Sequence, residues 1–227
     1  MSANKIAWLT DIHLNFLKND ARIKFYQSIT KTDANAILIT GDIAEANDVC
    51  EILSEFSAYT NMSIYFVLGN HDYYSGSINN VREKIITLCN KNTNLIWLGK
   101  PEVIALNKHS VLVGHDGWAD AEILDHTLNK AINAKHKKVI IATHVPPFPA
   151  CSWHKDKPSD KNWLPYFASK ATGDVIAAIA QKHPGIEFLV LCGHTHTRKV
   201  AKIASNLEVR AGAAEYYQPA IQEFIES

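Results

Sequence analysis

Aspartate, asparagine and histidine gather at five places where an apolar run gives out: Thr10-Asp11-Ile12-His13, Gly41-Asp42-Ile43-Ala44-Glu45, Gly69-Asn70-His71-Asp72, Thr143-His144 and Gly193-His194-Thr195-His196. Carboxylate and imidazole together suit borderline first-row cations such as Zn²⁺, Mn²⁺, Fe or Co. Calcium fits poorly, since it prefers an all-oxygen shell. The lack of clustered cysteines argues against a structural zinc site. Asp11, His13, Asp42, Asn70, His144, His194 and His196 offer too many donors for one tetrahedral ion. They suffice for two ions sharing a bridging carboxylate and a hydroxide, about 3.5–4 Å apart. In D-x-H and H-x-H an extended backbone sets both donors on one side, so each pair can grip one ion. The glycines before Asp42, Asn70 and His194 let the chain turn without a side chain blocking the site.

Taken singly, none of these residues is informative. A histidine in an apolar strand is usually a hydrogen-bonded core residue, and an aspartate after a strand is usually a turn or helix cap. What lifts them above that reading is the elements that carry them. Short β-rich runs at 6–10, 36–40, 63–69, 110–114, 139–143 and 186–193 alternate with segments of helical period at 18–31, 46–58, 77–90, 120–135 and 169–182. His183-Pro184-Gly185 supplies a stop for the last helix. Such alternation predicts an α/β fold with helix-covered sheets, in which ligands gather beyond the carboxyl ends of strands. The stretch from Arg198 to Ser227, with KVAKIA, LEVRAG and AIQEFIE, predicts a second, partly antiparallel sheet. Residues 145–168 are irregular, rich in proline and aromatics, and long enough to suggest a functional loop that covers substrate.

Length and composition set the outer bounds. With 227 residues, 47% hydrophobic, the chain is expected to form one domain over 1–227 with a substantial core. Lys+Arg and Asp+Glu both total 23, so no net positive charge argues for long nucleic acids or anionic membranes, and small substrates are favoured. No apolar window approaches the roughly 18 residues of a membrane span. The start MSANKIAWLT lacks the pattern of a secretory signal. Cys50, Cys89, Cys151 and Cys192 form no framework, which fits a reducing cytoplasm, with Cys151 an ordinary thiol. Oligomeric state has no sequence signature here.

The order D-x-H, G-D-x-x-E, G-N-H-D, a lone His after a strand, and G-H-x-H resembles the calcineurin-like metallophosphoesterase superfamily, over residues 11 to 196. That resemblance implies a two-sheet β-sandwich flanked by helices, a four-layer α/β/β/α fold. It implies Asp11, His13 and His196 on one ion, Asn70, His144 and His194 on the other, and Asp42 bridging. It makes His71 the acid/base at the leaving group and Asp72 the carboxylate that orients the His71 imidazole. The cofactors implied are two divalent first-row ions (Mn, Fe, Zn, Co or Ni), and the reaction is attack on a small phosphate ester by a hydroxide between them. After Asp42 stands Ile43, and after His71 stands Asp72. Protein Ser/Thr phosphatases of the superfamily carry arginine and glutamate at those places, so a phosphoprotein substrate is disfavoured. The chain is closer to small bacterial-type phosphoesterases, some of which cleave cyclic nucleotides and other small diesters. A phosphomonoesterase, a nuclease and a scaffold with an eroded site are the alternatives.

Other candidates carry weaker expectations. Glu45 supports its loop. His115 and Asp116, in Gly114-His115-Asp116-Gly117-Trp118, fit a plain turn better than a cleft wall. Trp153, His154, Lys155 and Trp163 form either a lid or a packed surface loop. Arg198 lies close enough in sequence to His196 to reach a phosphate. His109, His126, His136 and His183 read as surface residues.

Overall fold

Several strands of this chain are apolar at every position, the pattern of a sheet covered on both faces. The protein, described from a computed structural model, has residues 5–117, 121–133, 136–155 and 157–227 placed. In chain order these form β1 (Lys5–Leu9), α1 (Asn19–Thr30), β2 (Ala36–Thr40), α2 (Val49–Ala58), β3 (Ser63–Val67), α3 (Ile78–Lys91), β4 (Leu95–Trp97), β5 (Ile104–Ala105), β6 (Ser110–His115), α4 (Ala121–Asn133), β7 (Lys138–Thr143), β8 (Trp153–His154), β9 (Lys157–Pro158), α5 (Leu164–Phe167), α6 (Lys170–Lys182), β10 (Glu187–Cys192), β11 (Lys199–Ala204), β12 (Leu207–Ala211) and β13 (Glu223–Glu226). Short 3₁₀ turns occupy Leu14–Phe16, His71–Tyr73 and Pro149–Cys151. The expected helix over 120–135 is seen across Ala121–Asn133, with residues 120, 134 and 135 outside the described part.

One sheet has the order β13-β1-β2-β3-β4, the other β11-β12-β10-β7-β6-β5, and β8 and β9 form a separate hairpin. Pairing is parallel from β1 to β4 and among β12, β10, β7 and β6. The period of two divides each strand between two cores. Ile6, Trp8, Leu38, Val67, Leu112, Ile140, Leu189 and Leu191 fill the layer between the sheets. Their neighbours Ala7, Leu9, Ile37 and Ile39 meet Tyr26, Phe56 and Ile85 of α1, α2 and α3. On the other side Val139, Ile141, Phe188 and Val190 meet Leu124, Leu128 and Ile176 of α4 and α6. The result is the helix–sheet–sheet–helix sandwich.

The C-terminal stretch departs from expectation, because it does not build a sheet of its own. β12 lies parallel to β10 and puts Leu207, Val209 and Ala211 into the helix-side core, with β11 antiparallel at the edge. β13 crosses to the first sheet and pairs antiparallel with β1, placing Ile225 between the sheets. The strand expected over 63–69 ends at Val67 for a separate reason. The next two ladder donors are taken by carboxylates, Leu68 N–H donating to Asp116 Oδ1 at 2.9 Å and Gly69 N–H to Asp72 Oδ2 at 2.8 Å. The 145–168 segment is more ordered than a loop: it holds the Pro149–Cys151 turn, the β8/β9 hairpin and α5. No helix of the described residues is long and apolar enough to cross a membrane.

The inter-sheet layer should carry much of the stability. Leu38→Ala, at a fully buried position, is expected to lower the unfolding free energy by about 2–5 kcal/mol in a urea titration. Val200→Ala, at an edge position 52% exposed, should stay within about 0.5 kcal/mol.

Candidate metal centre

The strand exits bring the expected residues together, though not through extended backbone. Asp11, His13, Asp42, His194 and His196 all have left-handed φ, at 48°, 41°, 51°, 71° and 54°. Non-glycine residues rarely adopt this region, with Asn, Asp and His the usual exceptions, and such strain clusters at functional sites. The period-two reading of D-x-H and H-x-H is therefore corrected: the chain curls at each donor. D-x-H still delivers both its side chains to one spot, whereas H-x-H sends its two apart. Of the preceding glycines, Gly41 makes a turn at φ 88°. Gly193 serves by lacking a side chain, since a Cβ there would stand 2.1 Å from Asp11 Oδ2.

Two groups of donors result. Asp11, His13, Asp42 and His196 offer ligand atoms all within 4.8 Å of one another. Beside them, Asn70 Oδ1 lies 3.0 Å from His144 Nε2 and 2.9 Å from His194 Nδ1. Asp42 stands between the groups, with Oδ2 3.9 Å from His13 Nε2 and Oδ1 3.4 Å from His144 Nε2. Backbone N–H groups hold both carboxylates: His194 donates to Asp11 at 2.9 Å and His71 to Asp42 Oδ1 at 2.9 Å. The Thr10 hydroxyl adds a bond of 2.6 Å to Asp11.

The electrostatics suit a cation. Burial pushes His13 down to about 3 and, with the nearby His144, His194 down to about 4, so both are neutral imidazoles in ordinary buffers. Burial opposes charge on Asp11, yet the hydrogen bond with His196 and the field of His144 hold its carboxyl below the usual range. Asp42 is raised well above that range by burial and then by the Asp11 charge. His13 is 1% exposed, and neither of its ring nitrogens has a hydrogen-bond partner. His144 faces the Thr40 carbonyl through Nδ1 at 2.9 Å and Asn70 Oδ1 through Nε2. His194 faces the Tyr166 carbonyl through Nε2 at 2.9 Å and the same Asn70 oxygen through Nδ1. The His194 ring, held neutral by burial, has one proton for its two facing oxygens and so turns a lone pair toward one of them. Positive charge between them resolves the conflict, and the residues present fit divalent metal ions.

His71 heads the Asn70-His71-Asp72 turn, half-buried, its ring 4.7 Å from that of His13 and 4.4 Å from that of Tyr74. Burial, then the charge of His144, lowers its pKa. Asp72 does not orient that imidazole. Its oxygens accept from the backbone N–H groups of Ile43, Ala44 and Gly69 at 2.9, 2.9 and 2.8 Å, tying the loop after β2 to the loop after β3. Burial and the Asp42 charge push it up to about 8 against the pull of those donors. Asp116 does more than make a turn: it is 2% exposed and accepts from Leu68 N–H, Trp97 Nε1 at 3.2 Å and the Tyr73 hydroxyl at 3.0 Å. It thereby braces the His71 turn from below. His115 accepts from Gly117 N–H at 3.1 Å, and Trp118 lies outside the described residues. Arg198 points to Glu223, 3.9 Å away. Trp163 is 62% exposed and packs on Tyr166, Lys155 sits in the β8/β9 turn, and His109 and His126 are exposed. Burial pushes the Cys151 thiol up to about 11, consistent with an inert role.

A cavity of about 430 Å³ opens over the donors, bounded by His71, His194 and His196 and walled by Trp153, His154 and Phe167 from the 145–168 segment. Its volume is in the range of small-molecule sites. A depression of about 590 Å³ at the opposite strand ends, between Thr30 and Met62, has no comparable donor set. Sequence reasoning missed Tyr216, whose ring lies 4.8 Å from that of His13, and Tyr74, whose hydroxyl accepts from the Asn70 amide at 2.8 Å. Tyr74 was open to notice four residues after Asn70. Tyr216 lies in a segment with no motif.

Comparison with known proteins accords with this geometry. No curated protein sequence matches the chain. A dimetal phosphatase from Danio rerio is similar in structure at TM-score 0.67 and 10% identity, over 94% of this chain and 88% of that one. The phosphopantetheinyl hydrolase from Mycobacterium tuberculosis gives 0.63 and 11%, over 95% and 90%. A calcineurin-like phosphoesterase, YfkN from Bacillus subtilis, gives 0.53 and 12%, over 100% and 90%. At these identities the likeness is one of fold. The family assignment rests on the sequence itself: the model of the calcineurin-like phosphoesterase family matches residues 4–198, and the chain belongs to that family of enzymes hydrolysing phosphoric esters.

Proposed function

We propose that this protein is a dinuclear metal-dependent phosphoesterase acting on a small phosphodiester. The observation that carries the reading is the double cluster of oxygen and nitrogen donors around Asp42, which converges as a divalent cation requires and faces a cavity. In it Asp11, His13 and His196 would hold one ion and Asn70, His144 and His194 the other, with Asp42 placed between the two groups to serve both. Two divalent first-row ions there would supply Lewis-acid charge at phosphate oxygens and acidify the attacking water. His71, on the cavity wall, is the acid/base of this reading, placed to pass a proton to the departing oxygen. Among the described residues that line the cavity there is no lysine or arginine. A singly charged diester suits such a wall better than a substrate with further anionic groups. Asp72 acts through the loops it ties rather than on the substrate. The core shared between the sheets supports treating the chain as a single catalytic unit, and four free cysteines support a reducing compartment such as the cytoplasm.

Stripped of metal and reloaded with Mn²⁺, Zn²⁺, Fe²⁺, Co²⁺ or Ni²⁺, the protein should bind about two ions per chain by elemental analysis. It should then hydrolyse bis-p-nitrophenyl phosphate faster than p-nitrophenyl phosphate. Absence of turnover with every metal would overturn the reading, and a preference for the monoester would overturn its diester half. His71→Ala should lower kcat by about 10²–10⁴-fold with both ions retained. Asp42→Asn should lose metal as well as activity.

A separate measurement addresses Asp72. Asp72→Ala strands three buried N–H groups, each costing about 1–3 kcal/mol. Denaturant unfolding should therefore show a loss of more than about 2 kcal/mol. Chelator competition should show metal affinity at least about tenfold weaker. Unchanged stability would exclude the tying role.

A further inference from the structure

The cavity's histidines do not stand alone. Three of them have an aromatic ring alongside: Tyr74 lies 4.4 Å from His71, Phe167 5.5 Å from His194, and Tyr216 5.4 Å from His196, measured between ring centroids. Trp153 lines the same space. Tyr74 and Tyr216 keep 48% and 42% of their surface exposed. Exposed aromatic surface gathered at a cleft marks a binding face.

These rings are fixed in place. Gln222 accepts from Ala213 N–H at 2.9 Å and donates to the Ala213 carbonyl at 2.8 Å, closing the loop that presents Tyr216. Trp153 donates its indole N–H to the Ala150 carbonyl at 2.9 Å, and the Lys199 ammonium lies 3.6 Å from its ring centroid. Tyrosine and tryptophan held in this way offer flat contact area at little cost in conformational entropy.

We propose that the ester group retained on phosphorus carries a flat, uncharged ring, which stacks on the wall formed by Tyr216 and Trp153. This rests on the phosphoesterase reading above and narrows its substrate to diesters bearing an aryl group or a nucleobase. Sugar phosphates and simple alkyl diesters lack the π face that four rings at one mouth can use. Stacking of this type is worth about tenfold in affinity for one ligand ring held between Tyr216 and Trp153.

Calorimetric titration of the metal-loaded protein with phenylphosphonate and methylphosphonate, at an alkaline pH where both are dianions, tests this without turnover, since the two ligands then share charge and geometry at phosphorus. Phenylphosphonate should bind about tenfold or more tightly than methylphosphonate. Tyr216→Ala and Trp153→Ala should each bring the ratio to about threefold or below, and Tyr216→Phe should preserve it. Equal affinities, or a ratio unchanged in both alanine variants, overturn the inference and leave the phosphoesterase reading intact. Binding of neither ligand overturns the inference, and the phosphoesterase reading is then decided by hydrolysis of bis-p-nitrophenyl phosphate. Kinetics with one constant leaving group then identify the ring. The higher kcat/KM between phenyl p-nitrophenyl phosphate and thymidine 5′-(p-nitrophenyl phosphate) distinguishes an aryl group from a nucleobase. Both falling below methyl p-nitrophenyl phosphate would overturn the inference.

Discussion

Oxygen and nitrogen lone pairs that face one another with too few protons between them govern this structure. Asn70 Oδ1 confronts two imidazole nitrogens at 2.9–3.0 Å, His13 has no hydrogen-bond partner at either nitrogen, and two buried carboxylates lie in the same cluster. Unpaired buried polar groups are costly, and buried like charges more so. Yet the chain adds strain to that cost by holding five of these residues at left-handed φ. A fold keeps such an arrangement only where something outside the polypeptide offsets it, and the donor set fits divalent cations. The remaining architecture makes sense as the frame that positions these donors.

That frame works by replacing sheet hydrogen bonds with carboxylates at the point where the strands end. β3 does not fray after Val67; its next two N–H groups pass to Asp116 and Asp72. Asp72 also takes the N–H groups of Ile43 and Ala44, so the exits of β2 and β3 are bound to one side chain. Asp116 adds the Tyr73 hydroxyl and the Trp97 indole, so the His71 turn rests on a polar network that reaches β4. The first-sheet donors are thus placed by side chains that touch no ligand position themselves.

Much of this was legible in the sequence, for physical reasons. Strands buried on both faces must be apolar throughout, so Ala36–Thr40 and Glu187–Cys192 announced themselves, and residues that bind cations are conspicuous at the ends of such runs. Local backbone shape was less visible. D-x-H and H-x-H read as extended segments, and only the structure shows that each donor sits in a left-handed turn, because neighbours far along the chain impose it. Pairing between distant segments was also hidden. β13 has an ordinary strand pattern, and its choice of β1 over β12 depends on which sheet has a free edge. Asp72 and Asp116 could be recognised as buried carboxylates only once their backbone partners, up to 48 residues away, were in place.

The substrate wall was the least legible part, and the reason lies in how it is joined to the donors. Ligand positions need particular atoms, so chemistry restricts their residue types; a stacking wall needs only flat surface, which many residues in many loops can supply. Tyr216, Phe167 and Trp153 come from segments that share no motif with the strand exits. The two parts are nevertheless coupled through one hydrogen bond, from the His194 ring to the Tyr166 carbonyl at 2.9 Å. The other nitrogen of that ring faces Asn70, so a shift of the 145–168 segment turns an imidazole of the donor set. Second-sphere contacts of this kind orient ligands and tune what they bind. The 145–168 segment is therefore constrained at one point, because the carbonyl at Tyr166 fixes the direction of the His194 ring.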